Sequence, residues 1–253
     1  MGLEKTEGII LKTSLFQETS KIVSLFTREF GKLSVIAKGV RKTDAKYGST
    51  LDVLSAVSVL FYYKKSGGLH LLKESDVVDS FRRITDDLEK TAAAFAVVEI
   101  LNSAVMEEEP HRDLYLLAFE VLQALNTANK NPKNIYWYFA LRLLDITGYP
   151  IYFVKCQQCG EEIKGGRIGF SFENGGSFCE KCIGKRGTGI EISPESFRIL
   201  SRVREMHLQS VCNLVPSKRS AGEINEIIHR YMRYHIDGFR APNAFGLINN
   251  INK

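Results

Sequence analysis

Apolar positions in the first 75 residues fall in short β-branched or aromatic runs: Gly8–Lys12, Ile22–Thr27, Lys32–Ala37, Val53–Tyr63 and Leu69–Lys73. Gly31, Gly48 and the Gly67-Gly68 pair stand between them as turn signals. Five short strands with little room for a helix among them predict a small closed barrel. The oligonucleotide-binding (OB) fold is the commonest object of this kind, and SH3-like barrels meet the same pattern. Alternation along Phe61-Tyr62-Tyr63 requires at least one of these rings to face inward.

Past Asp79 the period lengthens to that of helices. Ala94, Val97, Val98, Leu101 and Val105 lie at i, i+3, i+4, i+7 and i+11, and Leu114, Leu117, Ala118, Val121 and Leu125 repeat the spacing. A third stripe, Ile135, Tyr138, Phe139, Leu143 and Ile146, opens at Asn131-Pro132 and closes at Gly148-Tyr149-Pro150. These predict three antiparallel helices sharing one core. Ser193-Pro194-Glu195 reads as the cap of a helix running through Arg204, and Ile224, Ile227, Ile228 and Tyr231 place another, with Arg230 and Arg233 on its outer side. The fold class is therefore read as α+β: an N-terminal OB-fold barrel over residues 1–79, then an α-helical domain over residues 80–253. A cysteine module at about 153–188 interrupts the helical part.

That module carries the sharpest chemistry in the chain. Cys156-x2-Cys159 and Cys179-x2-Cys182, 19 residues apart, match the two-knuckle zinc template. Two residues between thiols let both sulfurs reach one ion, and Ile168–Phe172 with Ser177-Phe178 can form a hairpin joining the knuckles, with turns at Gly165-Gly166 and Gly175-Gly176. Four thiolates close the tetrahedron and leave no position for a reactive water, so one structural zinc per chain is expected; iron and iron–sulfur clusters suit the same ligands. Glu4, Lys5 and Glu7 stand where a secretory leader would be apolar, and the apolar run Val53–Tyr63 falls well short of the roughly 18 residues of a membrane span. The expected setting is the reducing cytoplasm, which argues against disulfides. Cys212 lies outside the pattern and reads as a small apolar residue.

Charge sharpens the reading of the barrel. The net charge is +5, with 12 Lys/Arg against 9 Asp/Glu in residues 1–80, 7 against 10 in 81–154, and 9 against 5 in 195–253. Lys38, Arg41, Lys42 and Lys46, relieved only by Asp44, follow a predicted strand, with Lys32 and Arg28 just before it. A charge run alone is a solvated loop; beside aromatics on a small barrel it becomes a DNA-binding surface. The run Glu107-Glu108-Glu109-Pro110 is expected to be the solvated end of a helix. Phosphate-loop, dinucleotide, zinc-protease and nucleophile-elbow motifs are all absent, so no enzyme activity is expected. A metal-dependent nuclease and a zinc-ribbon factor acting on RNA or protein are the rival readings.

The order of several segments resembles the bacterial RecO recombination-mediator family. They are Thr6-Glu7-Gly8-Ile9-Ile10-Leu11-Lys12, Glu18-Thr19-Ser20-Lys21-Ile22-Val23, Ala37-Lys38-Gly39-Val40-Arg41-Lys42, Phe81-Arg82, Glu107-Glu108-Glu109-Pro110, Gly148-Tyr149-Pro150 and the two knuckles. The resemblance implies an OB-fold barrel, a helical body bearing a zinc module in many members, and no catalytic turnover. It implies binding of single- and double-stranded DNA, annealing of complementary strands, and a DNA-contact role for Lys38, Arg41 and Lys42. The implied partners are the RecR protein, the C-terminal tail of the single-strand-binding protein and, indirectly, the RecA recombinase, in a nucleoid-associated cytoplasmic location. The acidic tail would need an apolar groove with a basic rim, expected among the helices. Past Pro194 the resemblance fades, and Arg230, Arg233 and Arg240 inherit no role from it.

Overall fold

The computed structural model describes residues 2–40, 51–184 and 189–246. Two compact units form: Met1–Thr127 with Pro242–Lys253, and Ala128–Ala241.

The first unit is built on a closed five-stranded barrel, β1 Gly2–Phe16, β2 Ser20–Thr27, β3 Gly31–Ala37, β4 Ala56–Tyr63 and β5 Leu69–Asp79, in the order β1-β2-β3-β5-β4. Its strands alternate as a half-buried sheet must: Val23, Leu25, Leu33, Val35, Val57, Val59 and Phe61 point inward and are shut off from solvent. Closure comes from one parallel pairing, Val35 opposite His70, among antiparallel neighbours.

β1 is far longer than the apolar run Gly8–Lys12 predicts. Its first half pairs with β4, Leu3 opposite Tyr62, and its second half with β2, Ser14 opposite Ile22, around a bulge at Ile10/Lys12. Charged Glu4, Lys5 and Glu7 occupy its first half, so the apolar signal marked only its middle. At β4 the reverse holds: Leu54 takes a left-handed φ of 78° and sends its N–H to the Ile10 carbonyl, so the strand starts at Ala56 rather than Val53. β5 runs on to Asp79 through a polar stretch that pairs back along β4.

A short 3-10 turn, Arg82–Ile84, leads to α1 Leu88–Ala104 and α2 Arg112–Thr127. Asp87 caps α1 by accepting from the Lys90 N–H at 2.8 Å.

The second unit holds α3 Pro132–Ile146, the cysteine module with β6 Ile168–Ser171, β7 Gly176–Phe178 and β8 Ile190–Ile192, then α4 Pro194–Glu205 and α5 Lys218–His235. β6 is the central strand of this small sheet, between β7 and β8. The third helix therefore does not join the core shared by the first two: α3 packs against α4, α5 and the 3-10 turn Leu208–Asn213. The reason lies in polar anchors that a hydrophobic period does not register. Asn131 and Asn134 donate to the carbonyls of Cys212, Val211 and Leu214, and the Trp137 indole N–H reaches Asn225 Oδ1 at 2.6 Å.

α4 and α5 cap each other. Ser193 and Ser217 are the two N-caps. Glu223 of α5 accepts from the Ser193 N–H at 3.0 Å and hydroxyl at 2.5 Å, while Glu195 of α4 accepts from the Ser217 N–H at 2.9 Å and from the Ser217 and Ser220 hydroxyls. Two converging helix N-termini are thus neutralised by carboxylates from the opposite helix. Hydrogen bonds from the Ser217 hydroxyl, the Ser220 hydroxyl and the Ser217 amide bring the Glu195 pKa down to about 2.

Candidate metal centre and nucleic-acid interface

Each knuckle of the cysteine module is one tight turn. The carbonyl of Cys156 accepts from the Gly160 N–H at 2.9 Å, and that of Cys179 from the Ile183 N–H at 3.1 Å. Gly160 makes its turn possible with a φ of 74°, and Gly184 follows the second knuckle at 83°. The hairpin expected between the knuckles forms, β6 pairing with β7 as Gly169 opposite Phe178. The Gln157 N–H then donates to Ser177 at 3.0 Å, tying the first knuckle to the strand that leads into the second.

The four sulfurs lie within 4.8 Å of one another, with Cys159 and Cys179 at 3.8 Å. A tetrahedron with metal–sulfur bonds of about 2.3 Å has edges of about 3.8 Å, so the cluster has the dimensions of a four-thiolate site. Its electrostatics also ask for a cation. Burial opposes ionisation of Cys156, yet N–H groups of Cys179, Cys159 and Gln158 outweigh it and lower the thiol to about 6. Burial and the neighbouring sulfurs raise Cys182 to about 12, so the four cannot all ionise without positive charge among them. These four cysteines can hold a metal ion.

Of the six basic residues expected to contact DNA, the three that are described, Lys38, Lys32 and Arg28, do not lie together. Arg41, Lys42 and Lys46 lie outside the described residues. Lys38 is exposed just beyond the end of β3. Lys32 sits at the other end of the same strand, six residues or roughly 20 Å away. There its ammonium donates to the Asn102 carbonyl at 2.9 Å and its own carbonyl accepts from the Glu108 N–H at 2.8 Å. Arg28, in the adjoining turn, faces Glu7 at 3.9 Å and Glu29 at 3.6 Å. Lys32 and Arg28 are thus held by protein groups at an acidic end of the barrel.

The acidic run at 107–109 follows the end of α1, where Glu107 and Glu109 are exposed as expected but Glu108 is half-buried, and the backbone of the run packs on the barrel. Glu107 bridges to Lys32 as a short parallel pairing, and the backbone of Glu109 closes over Gly31, whose φ of 67° and lack of a side chain admit it. Glu108, itself at a left-handed φ of 57°, accepts from the Tyr63 hydroxyl at 3.1 Å and stands 3.6 Å from His70 Nε2. His70 is wholly buried, stacked on Tyr63 with ring centres 5.0 Å apart, and its Nδ1 accepts from the Lys64 N–H at 3.2 Å. Burial lowers the His70 pKa against the pull of Glu108, so the ring is neutral near pH 7.

Of the three aromatic residues in β4, Phe61 is the core residue and packs edge-on against Phe30. Tyr62 alternates to the outer surface. Register places it in a row that crosses the barrel, Leu3, Tyr62, Leu71, Ile36 and Ile22, each opposite the next. Lys38 follows Ile36 by two residues, in the turn after β3, and is exposed. Strand alternation hid this row, because its members read as core in a one-dimensional pattern.

In the second unit a groove of about 710 Å³ is lined by Phe153, Val154, Ile163, Phe197 and Ile199, with Arg198 and Arg202 on its walls. Glu162, Glu195 and Glu205 line it too, so its rim is of mixed charge.

Comparison with known proteins decides the family. The model described as "Recombination protein O N terminal" matches residues 1–81, and "Recombination protein O C terminal" matches residues 85–242. The chain belongs to the RecO family. Relatives named DNA repair protein RecO include that of Bacillus subtilis, 31% identical over 90% of this chain and 88% of that protein. Those of Moorella thermoacetica (30% identical, 96% and 90% covered) and Chloroherpeton thalassium (27%, 98% and 99%) are similar along nearly their whole length. The boundary between the two RecO models falls just after β5, and the four cysteines lie within the second. Among the described residues no helix is long and apolar enough to cross a membrane.

Proposed function

We propose that this RecO-family protein is a DNA repair and recombination mediator that binds single- and double-stranded DNA and anneals complementary strands without making or breaking a covalent bond. The observation that carries this is the barrel's surface. A closed barrel in the order β1-β2-β3-β5-β4, which we read as an OB fold, bears an outer apolar row through Ile36, two residues before exposed Lys38. Bases lie on the row and phosphates meet Lys38 together with Arg41 and Lys42, the pattern of a single-strand groove. Lys32 and Arg28, already partnered, make the weaker contribution. Annealing then needs no active site: two strands held on one protein have their mutual repulsion offset and their local concentration raised, and base pairing supplies the driving force.

In this reading the cysteine cluster holds one structural zinc that fixes the geometry of the second unit. The protein works in the cytoplasm with RecR, receives the C-terminal tail of the single-strand-binding protein, and so helps load RecA onto coated strands. The printed name of the relatives, DNA repair protein RecO, supports the repair role, and the partners follow from the family resemblance alone.

Fluorescence anisotropy of a labelled single strand across a salt series tests the proposal. Affinity should fall linearly on a log–log plot, and replacing Lys38, Arg41 and Lys42 by alanine should reduce the slope by roughly 0.7 for each phosphate that is no longer neutralised. Binding that ignores salt, or a slope unmoved by the triple variant, would overturn it.

A further inference from the structure

The two knuckles expose their cysteines unequally. Cys159 is exposed and Cys179 half-buried, whereas Cys156 and Cys182 are only 2% and 5% exposed. Each knuckle thus contributes one outer and one inner sulfur. The outer two come from opposite knuckles, and their sulfurs stand 3.8 Å apart. Next to Cys159, the space that a Cβ on Gly160 would enter is open to 4 Å, so a small molecule meets no wall there.

Backbone bonds already shape each knuckle by itself. In the first, the Cys156 N–H donates to the Glu161 carbonyl at 2.8 Å and Lys155 bridges to Glu162; in the second, the Cys182 N–H donates to the Cys179 carbonyl at 2.9 Å. What a bound ion adds is a tie between the knuckles. A bond between the two outer sulfurs makes the same tie.

We propose that Cys159 and Cys179 are an oxidisable pair, which hydrogen peroxide joins as a disulfide with release of the metal ion. The inference rests on the metal reading proposed above and goes beyond it. Ligation keeps the thiols deprotonated, and thiolate character together with exposure sets which sulfur reacts. The Cys159 thiolate attacks one peroxide oxygen: an S–O bond forms, the O–O bond breaks, and the departing hydroxide takes a proton from solvent. The Cys179 thiolate then attacks the Cys159 sulfur; the S–S bond forms, the S–O bond breaks, and the second hydroxide is protonated in turn. Two sulfurs have given up two electrons, and the peroxide has become two waters. Cys156 and Cys182 alone are too few donors for a structural ion, while the new bond keeps the knuckles together.

The test starts from the full chain with its metal content measured. After peroxide treatment, alkylation and digestion, mass spectrometry should find Cys159 linked to Cys179, with one ion released to a chromogenic chelator per disulfide. Cys212→Ser protein should give the same link, which excludes the fifth thiol. The thermal transition of the second unit should then lie several degrees above that of reduced, chelator-stripped protein, and dithiothreitol should remove the difference. Cys179→Ser protein should show no such gain. A link within either knuckle, a sulfinic acid on Cys159 without a disulfide, or four thiols still reduced around their ion under millimolar peroxide would overturn the inference. Any of these in protein that holds metal leaves the metal reading standing, whereas protein that binds no metal removes both.

Discussion

Replacing Glu108 separates two opposing effects that the structure lets one size. The carboxylate accepts a hydrogen bond from Tyr63 at 3.1 Å, and a bond to a charged acceptor is worth about 1.5–3 kcal/mol. His70 Nε2 stands 3.6 Å from the same carboxylate, beyond hydrogen-bond reach, so that contact adds little. The Glu108 side chain is 30% exposed, so water recovers part of the Tyr63 bond, and Glu108→Ala should destabilise the first unit by about 1–2 kcal/mol. Its backbone φ of 57° is disfavoured for any residue with a side chain. Glu108→Gly removes the same Tyr63 bond but relieves about 1 kcal/mol of left-handed strain, so it should be the milder change. The lone tryptophan, Trp137, lies in the other unit, so calorimetry resolving two transitions, or hydrogen exchange at β3 and β5, is the suitable assay. Equal stability of the alanine and glycine variants would refute the strain argument. An alanine variant as stable as wild type would refute the assignment of Glu108 as a strut.

Three further outcomes are expected. Stability of the second unit should fall as pH drops from about 4.5, the ordinary value for Glu195, to about 2, its folded value, because the unfolded chain takes up the proton first; Glu195→Gln should flatten that limb of a pH–urea series. Ser193→Ala removes the cap on the Ser196 N–H and a donor to Glu223, and should lower stability by about 1–2 kcal/mol, read as a drop of several degrees in the corresponding thermal transition. Stripping metal with a chelator under reducing conditions should lower the transition of the second unit and leave the barrel's unchanged, and Cys159→Ser should reproduce this while elemental analysis falls below one metal per chain.

How far the sequence spoke can be argued from particular residues. Period-two and period-3.6 patterns located every strand of the barrel and α1 to α5, because each buries one face and the patterns encode faces. The CxxC spacing located the metal cluster because a local turn brings each thiol pair together without long-range information. Polar residues acting at a distance were invisible. Asn131, Asn134 and Asn225 moved α3 into the second unit, and nothing in their spacing says which carbonyl they will meet. The strap at Glu107–Glu109 was hidden similarly, since a carboxylate bonded to a tyrosine 45 positions earlier looks the same in sequence as one in water. For the same reason Lys32 reads as a free cation until its ammonium is seen on the Asn102 carbonyl.

The metal module is better understood as a frame than as a DNA contact, on charge alone. Four thiolates around a divalent ion carry a formal charge of about −2, which repels phosphate; the exposed Lys155, Lys164 and Lys181 offset that charge and leave little to attract a polyanion. Its influence runs instead through backbone bonds. The first knuckle holds Ser177 of β7, β7 pairs with β6, and β6 pairs with β8, Ile168 opposite Ile192. The next residue is Ser193, which caps α4 and donates to Glu223 of α5. These connections would join an ion held by the four cysteines to α5. Losing such an ion should therefore loosen α4 and α5 together, although neither supplies a ligand to it.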